Sequence, residues 1–175
     1  MNILTQYREN RHRKEVTKDF LTKNGRSSGD FTGVKNVLVL SDVTDETNLK
    51  IAEKYVGRLK KKADKVQLIG YVDTKEVLEN YNFLVLGKKD LNWLWKPKRA
   101  AIDNLKSQRF DLLINLCQQD CFPLEYLAVS LDANYKIGAL TDYPNNYDLM
   151  LDSTDLQNYL KQVDFFLEKY RLDLN

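Results

Sequence analysis

The side chains with the clearest chemical potential come directly after apolar runs that are typical of buried strands. Carboxylates, amides, a hydroxyl and a thiol occur there, and open parallel sheets bind ligands beyond the carboxyl ends of their strands. These positions predict a ligand crevice formed by Ser41, Asp42, Cys117, Gln118 and Asp120. Such a crevice would serve a small-ligand sensor or an enzyme.

Cysteine and histidine are too scarce for most catalytic or metal chemistry. Cys117 and Cys121 are four residues apart, and His12 is the single histidine of the chain. A structural zinc site normally takes four such ligands, and a redox pair more often has Cys-x-x-Cys spacing. We therefore expect reduced, partly buried thiols and no metal site. We expect His12, within RHRK, to be a solvated surface residue.

Phosphate-binding loops are also missing from the sequence. The first predicted strand is followed by SDVTDET, residues 41–47, without the glycines that let a backbone approach a pyrophosphate. Neither GxGxxG nor GxxxxGK[ST] occurs. We expect no cofactor and favour a protein that is not an enzyme. Asp42, Thr44 and Asp45 are explained more simply as caps of the next helix.

The N-terminal segment carries an excess of positive charge. Residues 1–35 contain eight basic and four acidic residues, whereas the net charge of the whole chain is +2. Five of the cations lie in a stretch without Gly or Pro that favours a helix: Arg8, Arg11, Arg13, Lys14 and Lys18. Arms of this kind neutralise phosphates, so RNA or a ribonucleoprotein is the first partner we expect, and an acidic protein surface the second. A solubilising extension or an anionic membrane surface would explain the same charge.

A second candidate partner contact is DLNWLWKPKR, residues 90–99. Tryptophan and arginine are favoured at binding surfaces, and mixtures of aromatic and basic residues suit nucleic acids. The residues of this predicted partner loop are Trp93, Trp95, Lys96, Lys98 and Arg99. The alternative is that both tryptophans only pack the loop against neighbouring elements.

Strand and helix patterns alternate after residue 35. Apolar runs predict strands at residues 37–40, 66–72, 83–87, 111–117, 135–140 and 147–151. Helices are predicted between them: Pro97 and Pro123 are expected in first turns, and a short helix is expected from Thr74. The cap of the last helix is expected at Ser153, Thr154 or Asp155. This order predicts a three-layer Rossmann-like α/β fold, with a mostly parallel sheet of five or six strands and helices on both faces.

Composition and glycine placement suggest how the chain is organised. A chain with 43% hydrophobic and 30% charged residues is neither disordered nor fibrous in composition. We predict a basic helix and a Gly/Ser hinge over residues 1–34, followed by a single Rossmann-like domain over residues 35–175. No apolar run reaches the ~20 residues that span a bilayer, and no signal-peptide core precedes the helix, so we expect a cytoplasmic protein.

Several longer motifs occur in one order along the domain. They are KKDLNW (88–93), KPK (96–98), FDLLINL (110–116), Ser-x-x-Ala-x-Tyr-Lys-Ile-Gly (130–138) and YDLML (147–151). With these motifs the chain resembles a family of uncharacterised bacterial Rossmann-like proteins, a resemblance that implies the fold but no activity. FDLLINL followed by a Lys-Ile-Gly strand is also similar to the acceptor half of heptosyltransferase-type glycosyltransferases. That likeness implies transferase activity only if a partner supplies the donor-binding domain.

Together these observations favour a non-enzymatic binding module that docks on an anionic partner through its basic N-terminal helix. One alternative is a small-ligand sensor or glycosyltransferase-like enzyme that uses the predicted crevice. Another is a scaffold subunit of a protein complex, which would pair through a sheet edge or the tryptophan loop.

Overall fold

A six-stranded parallel sheet forms the centre of the domain. The structure is a computed structural model that describes residues 3–22, 33–75, 77, 81–141, 147–153 and 155–169. The strands follow the order β3-β2-β1-β4-β5-β6, and all neighbouring strands run parallel. Their bounds are β1 Asn36–Asp42, β2 Lys65–Tyr71, β3 Leu84–Leu86, β4 Arg109–Asn115, β5 Asp132–Ala139 and β6 Leu149–Leu151.

Helices cover both faces of this sheet. On one face lie α2 (Glu46–Leu59) and α5 (Leu156–Lys169), and on the other lie α3 (Arg99–Lys106) and α4 (Phe122–Ser130). The N-terminal helix α1 (Ile3–Thr22) packs on α4, outside these layers. The predicted three-layer α/β fold of the Rossmann-like type is therefore confirmed, with an N-terminal helix added to it.

The central strands contain continuous apolar runs because both of their faces are covered. Successive side chains of a strand point to opposite faces, so a strand between two helical layers needs apolar residues at every position. In β1, Val37 and Val39 enter the core under α2 and α5, and Leu38 and Leu40 enter the core under α3 and α4. All four side chains are fully buried.

Two predicted helix caps are confirmed. Asp45 caps α2, and its carboxylate accepts from the backbone N–H groups of Thr47 (2.7 Å) and Asn48 (3.4 Å). These hydrogen bonds lower the pKa of Asp45. Asp155 accepts from the N–H groups at the start of α5 in the same way. Each residue therefore fixes where its helix begins.

The two prolines that were predicted in first turns of helices differ in position. Pro123 lies in the first turn of α4, as predicted. Pro97 was expected in the first turn of a helix, and that prediction is wrong: Pro97 pairs with Leu91, and α3 begins at Arg99. The loop before α3 is thus a structured hairpin.

A buried lysine fixes the far end of α4. Lys136 of β5 is fully buried, and its Nζ donates to the carbonyl groups of Ala128 (2.5 Å) and Leu131 (2.8 Å). A cation is favourable at a helix C-terminus, where carbonyl groups lack intrahelical partners. The contact ties α4, and the loop that leads into it, to the sheet.

Three predictions lie wholly or largely outside the described residues. They concern the Gly/Ser hinge, the short helix after Thr74 and the turn at residues 142–146. The proposed division at residue 34 therefore stays a prediction.

Candidate functional site

The predicted partner loop is a tight hairpin. Residues 91–97, called the Trp hairpin below, are closed by an antiparallel bridge between their first and last members. The side-chain oxygen of Asn92 accepts from the N–H groups of Leu94 (2.8 Å) and Lys96 (3.1 Å). Because these bonds lie within the loop, the hairpin keeps its shape without a helix or strand around it.

The Trp hairpin directs its two tryptophans into different surroundings. Trp95 has a φ of +56°, in the left-handed region that bulky residues rarely adopt. Its ring stacks on Phe122 of α4 with a centroid distance of 4.8 Å. Trp93 is 53% exposed. One tryptophan therefore packs the loop, as the alternative interpretation held, and the other stays available to a partner.

The inner face of α1 docks on the hairpin and on α4. His12 is fully buried, its ring lies 5.0 Å from that of Phe122, and Val16 is 2% exposed. His12 Nδ1 lies 2.7 Å from the Leu94 carbonyl oxygen and must donate to it, because a carbonyl only accepts. The prediction that His12 is solvated is wrong. Its basic neighbours in sequence gave no sign of partners more than 80 residues away.

Burial changes the acid–base behaviour of His12. Removal of the ring from water lowers the pKa of His12, and the hydrogen bond to Leu94 offsets this only in part. The residue is therefore the neutral tautomer with its proton on Nδ1 at neutral pH. An imidazole in this position holds α1 in place.

Two of the predicted phosphate ligands are bound within the chain. Arg8 donates from Nε to the Trp93 carbonyl oxygen (2.9 Å), and its guanidinium carbon lies 3.9 Å from the centroid of the Trp95 ring. Arg13 pairs with Asp120 at 2.7 Å. These arginines position α1, so they are not the first contacts that a partner would meet.

The predicted cations of the partner loop also fall into two groups, those that are bound within the chain and one that is exposed. Lys96 pairs with Glu15 of α1, and its ammonium lies 5.0 Å from the centroid of the Tyr126 ring. The hydrogen bond from Lys96 lowers the pKa of Glu15, which keeps this carboxylate ionised. Lys98 donates to the Lys89 carbonyl oxygen (2.6 Å), and Arg99 is exposed at the start of α3.

The remaining cations share one face of α1. Arg11, Lys14 and Lys18 are exposed and recur at intervals of three and four residues, which places them side by side along the helix. Arg11 also approaches Glu15 at 3.8 Å. The same spacing continues towards the N-terminus through exposed apolar residues. The outer face of α1 therefore consists of Ile3, Leu4, Tyr7, Arg11, Lys14 and Lys18.

The crevice at the carboxyl end of the sheet contains only part of its predicted set. A cavity of about 340 Å³ lies beyond β4 and β5, and Cys117, Gln118 and Asp120 line it. Ser41 is buried beneath the sheet edge, and Asp42 accepts from the N–H of Thr44 (2.9 Å) in the turn before α2. These two residues do not line the cavity, because the turn directly after β1 uses their polar groups for local hydrogen bonds.

Other elements supply the rest of the cavity lining. Arg13 of α1 and Glu125 of α4 contribute charge, and Tyr147 and Asn115 contribute polar groups from the end of the sheet. The Asn115 amide donates to the Tyr147 hydroxyl at 2.7 Å, and burial raises the pKa of Tyr147. Sequence reasoning missed Tyr147, since YDLML marks it only as the start of a strand.

The two cysteines are free thiols beside this cavity. Cys121 is buried and Cys117 is half-buried. Hydrogen bonding with Cys117, together with burial, raises the pKa of the Cys121 thiol well above its usual range. A neutral thiol is a poor nucleophile and a poor metal ligand. Among the described residues, no three His, Cys, Asp or Glu side chains could hold a metal ion.

Comparison with known proteins shows the family and little else. No curated protein and no solved structure matches the chain. In the described ranges, no helix is long and apolar enough to cross a bilayer. The sequence pattern named "Family of unknown function (DUF6913)" matches residues 8–169, so it includes most of α1 as well as the sheet. The chain therefore belongs to the DUF6913 family.

Proposed function

We propose that this protein is a non-enzymatic binding module that docks on an anionic partner through the outer face of α1. One observation carries the proposal: Arg11, Lys14 and Lys18 are exposed on one face of a helix whose opposite face is fixed to the domain. The five cations predicted from the sequence therefore have two different roles. Arg8 and Arg13 hold the helix, and the other three are exposed on its outer face.

Fixation of α1 favours binding because the cations are arranged before the partner arrives. A disordered basic arm must lose conformational freedom on binding, which weakens its affinity. Here Arg8, His12 and Arg13 already hold the helix in place. The three cations can then contact phosphates or carboxylates at little further cost in backbone entropy.

Several finer predictions accompany this proposal. RNA or a ribonucleoprotein was the first partner expected from sequence, and an acidic protein surface the second; a bacterial, cytoplasmic setting agrees with either. The likeness to heptosyltransferase-type acceptor domains stays a resemblance of motifs. A scaffold role, with pairing through a sheet edge or the tryptophan loop, stays a further prediction.

Retention on immobilised heparin, a polyanion with no base or lipid chemistry, tests the proposal. We expect the triple variant Arg11→Ala, Lys14→Ala, Lys18→Ala to elute at clearly lower salt than the unchanged protein, because fewer counterions are released. The matched control replaces Lys54, Lys60 and Lys61 by alanine, since these exposed cations lie at the distant α2. Equal elution of both triple variants would show that α1 is not the docking surface.

A second candidate function is a small-ligand sensor or enzyme at the cavity beyond β4 and β5. The observation that favours it is that Gln118 lines this cavity, and that its Oε1 is buried without a hydrogen-bond partner in the described structure. An unsatisfied buried acceptor calls for a donor, so the expected ligand carries hydroxyl or amino groups. This function is supported if such a ligand raises the melting temperature of the unchanged protein and not that of Gln118→Leu. If no compound in a panel of such ligands raises the melting temperature, the result counts against it.

A further inference from the structure

The N-terminal end of the outer face of α1 forms an apolar patch with the Trp hairpin. Ile3 is 82% exposed, Leu4 57%, Tyr7 54% and Trp93 53%. The Tyr7 and Trp93 rings lie 6.2 Å apart, which joins helix and hairpin in one surface. We call these four residues the apolar tip. They are half of the eight large apolar side chains that are exposed in the described structure, and the other four lie on other elements.

The apolar tip is held in position by contacts beneath it. Arg8 binds the Trp93 carbonyl oxygen and approaches both tryptophan rings, at 5.7 Å for Trp93 and 3.9 Å for Trp95. Trp95 in turn stacks on Phe122. The exposed Trp93 is therefore presented by a structured loop. Clustered exposed apolar groups in a folded protein indicate an interaction surface.

The order of residue types along the outer face indicates what covers it. Aliphatic side chains come first, then the aromatic pair, and then Arg11, Lys14 and Lys18 over a further ~16 Å of helix. A helix that enters a bilayer surface obliquely, with its N-terminal end first, meets the same order: hydrocarbon, then the interface that tyrosine and tryptophan favour, then phosphate headgroups. The cations make this surface complementary to anionic lipids in particular.

We propose that the outer face of α1 docks on an anionic lipid surface, with the apolar tip inserted among the lipids and Arg11, Lys14 and Lys18 on the headgroups. This inference rests on the proposed function and names its partner. The protein lies on the bilayer and does not span it. Two weak signals, apolar insertion and basic charge, act together to give stable but reversible binding.

RNA would contact fewer residues of this surface than a lipid surface would. Bases would stack on Tyr7 and Trp93, and the phosphates would pair with the three cations. Ile3 and Leu4 would stay in water, because aliphatic groups give little stacking and no charge. A lipid surface covers all four residues of the apolar tip, so it is the partner that the observations favour.

The experiment uses the full chain and vesicles with about 30% phosphatidylglycerol in phosphatidylcholine, against pure phosphatidylcholine. Trp93 and Trp95 are the two tryptophans of the chain, so Trp95→Phe leaves Trp93 as the single tryptophan. We expect the emission of Trp93 to shift to shorter wavelength with the anionic vesicles only. Co-sedimentation of the unchanged protein with the same vesicles gives an answer even if Trp95→Phe folds poorly.

Two variants separate the contributions to vesicle binding. Loss of the three cations Arg11, Lys14 and Lys18 is expected to weaken binding about 100-fold, at roughly fivefold per cation. Ile3→Ser with Leu4→Ser is expected to weaken it tenfold or more, because apolar groups no longer enter the bilayer. The controls are the alanine triple of Lys54, Lys60 and Lys61, and Phe165→Ser at an equally exposed site on α5.

The outcomes distinguish this inference from the proposed function. Absence of sedimentation with anionic vesicles, or an unchanged Trp93 spectrum, overturns the lipid inference. If a labelled oligouridine then binds and loses affinity in the cation triple variant, RNA is the partner and the proposed function stands. If neither vesicles, oligouridine nor heparin responds to the three cations, both proposals fail.

Discussion

His12 shows how one residue can join distant parts of the chain. Its Nδ1–H is bound to Leu94 and its ring packs on Phe122, so a single side chain contacts the Trp hairpin and α4 together. The other ring nitrogen, Nε2, is buried without a hydrogen-bond partner in the described structure. Protonation there would place a charge in a site with no acceptor, beside the cations Arg13 and Lys96.

The lowered pKa of His12 makes stability depend on pH. Because the unfolded protein binds a proton near pH 6.5 and the folded protein only at lower pH, the free energy of unfolding should fall as pH drops below about 6.5. Urea denaturation between pH 7.5 and about 5 measures it. Glu15 stays ionised over most of this range, since its pKa is lowered by Lys96. His12→Gln keeps a donor for Leu94 and should remove this dependence; an unchanged slope would contradict the assignment.

Gly138 is required because an aromatic ring lies against its backbone. A Cβ at this position would come within 2.5 Å of the Tyr147 ring, closer than side chains approach one another. Gly138→Ala is expected to destabilise the protein by about 1–3 kcal/mol and to displace Tyr147 from the cavity wall. Chemical denaturation measures the loss. Gly57→Ala is the matched control: a Cβ there meets nothing within 4 Å, so the change in α2 should stabilise by up to ~1 kcal/mol. Similar effects at both sites would refute the argument.

At the scale of elements, α1 docks mainly through polar and aromatic contacts. Val16 is the fully buried apolar side chain of its described inner face, and Arg8, His12 and Arg13 make the other contacts. A helix held in this way depends on the hairpin that receives it. The Trp hairpin and α1 therefore behave as one unit.

Removal of Trp95 should release α1. Trp95→Ala deletes the ring that lies between Arg8 and Phe122, so the docked state of α1 should lose roughly 2 kcal/mol. Hydrogen exchange should become tenfold or more faster in α1 and stay slow in β1 and β4. Trp93→Ala is the control, and its effect should be smaller, because the Trp93 ring is more exposed and lies farther from Arg8 than the Trp95 ring does. Unchanged exchange in α1 after loss of Trp95 would rule out this role.

Some elements could be predicted from local sequence, whereas the position of another could not. β1 and β4 were predictable because burial on both faces leaves continuous apolar runs, and Pro123 marks the start of α4. The docked position of α1 was not predictable, because Arg8 and Trp93 are 85 residues apart in sequence. Local patterns show that a helix forms; they do not show which distant carbonyl group it meets.

The candidate site was predictable to a similar degree. The position rule for parallel sheets correctly placed Cys117, Gln118 and Asp120 at the cavity. It failed for Ser41 and Asp42, because a turn after β1 uses the polar groups locally. The rule identifies the end of the sheet, and side-chain packing then decides which strand ends are open.

At the scale of the whole molecule, α1 connects the proposed docking face with the cavity. Arg13 lies on α1, pairs with Asp120 and lines the cavity. A partner that moves α1 would therefore alter the cavity wall, and a ligand in the cavity would alter the docking of α1 by the same free energy.

The two outermost strands of the sheet are short. β3 and β6 have three residues each, whereas the four strands between them have seven or eight. An edge strand of this length presents few unpaired N–H and C=O groups to a strand from another molecule. Edge-to-edge pairing with another molecule, the usual route from a folded sheet to an aggregate, is therefore disfavoured. A protein that displays an apolar tip in water also resists association through its sheet.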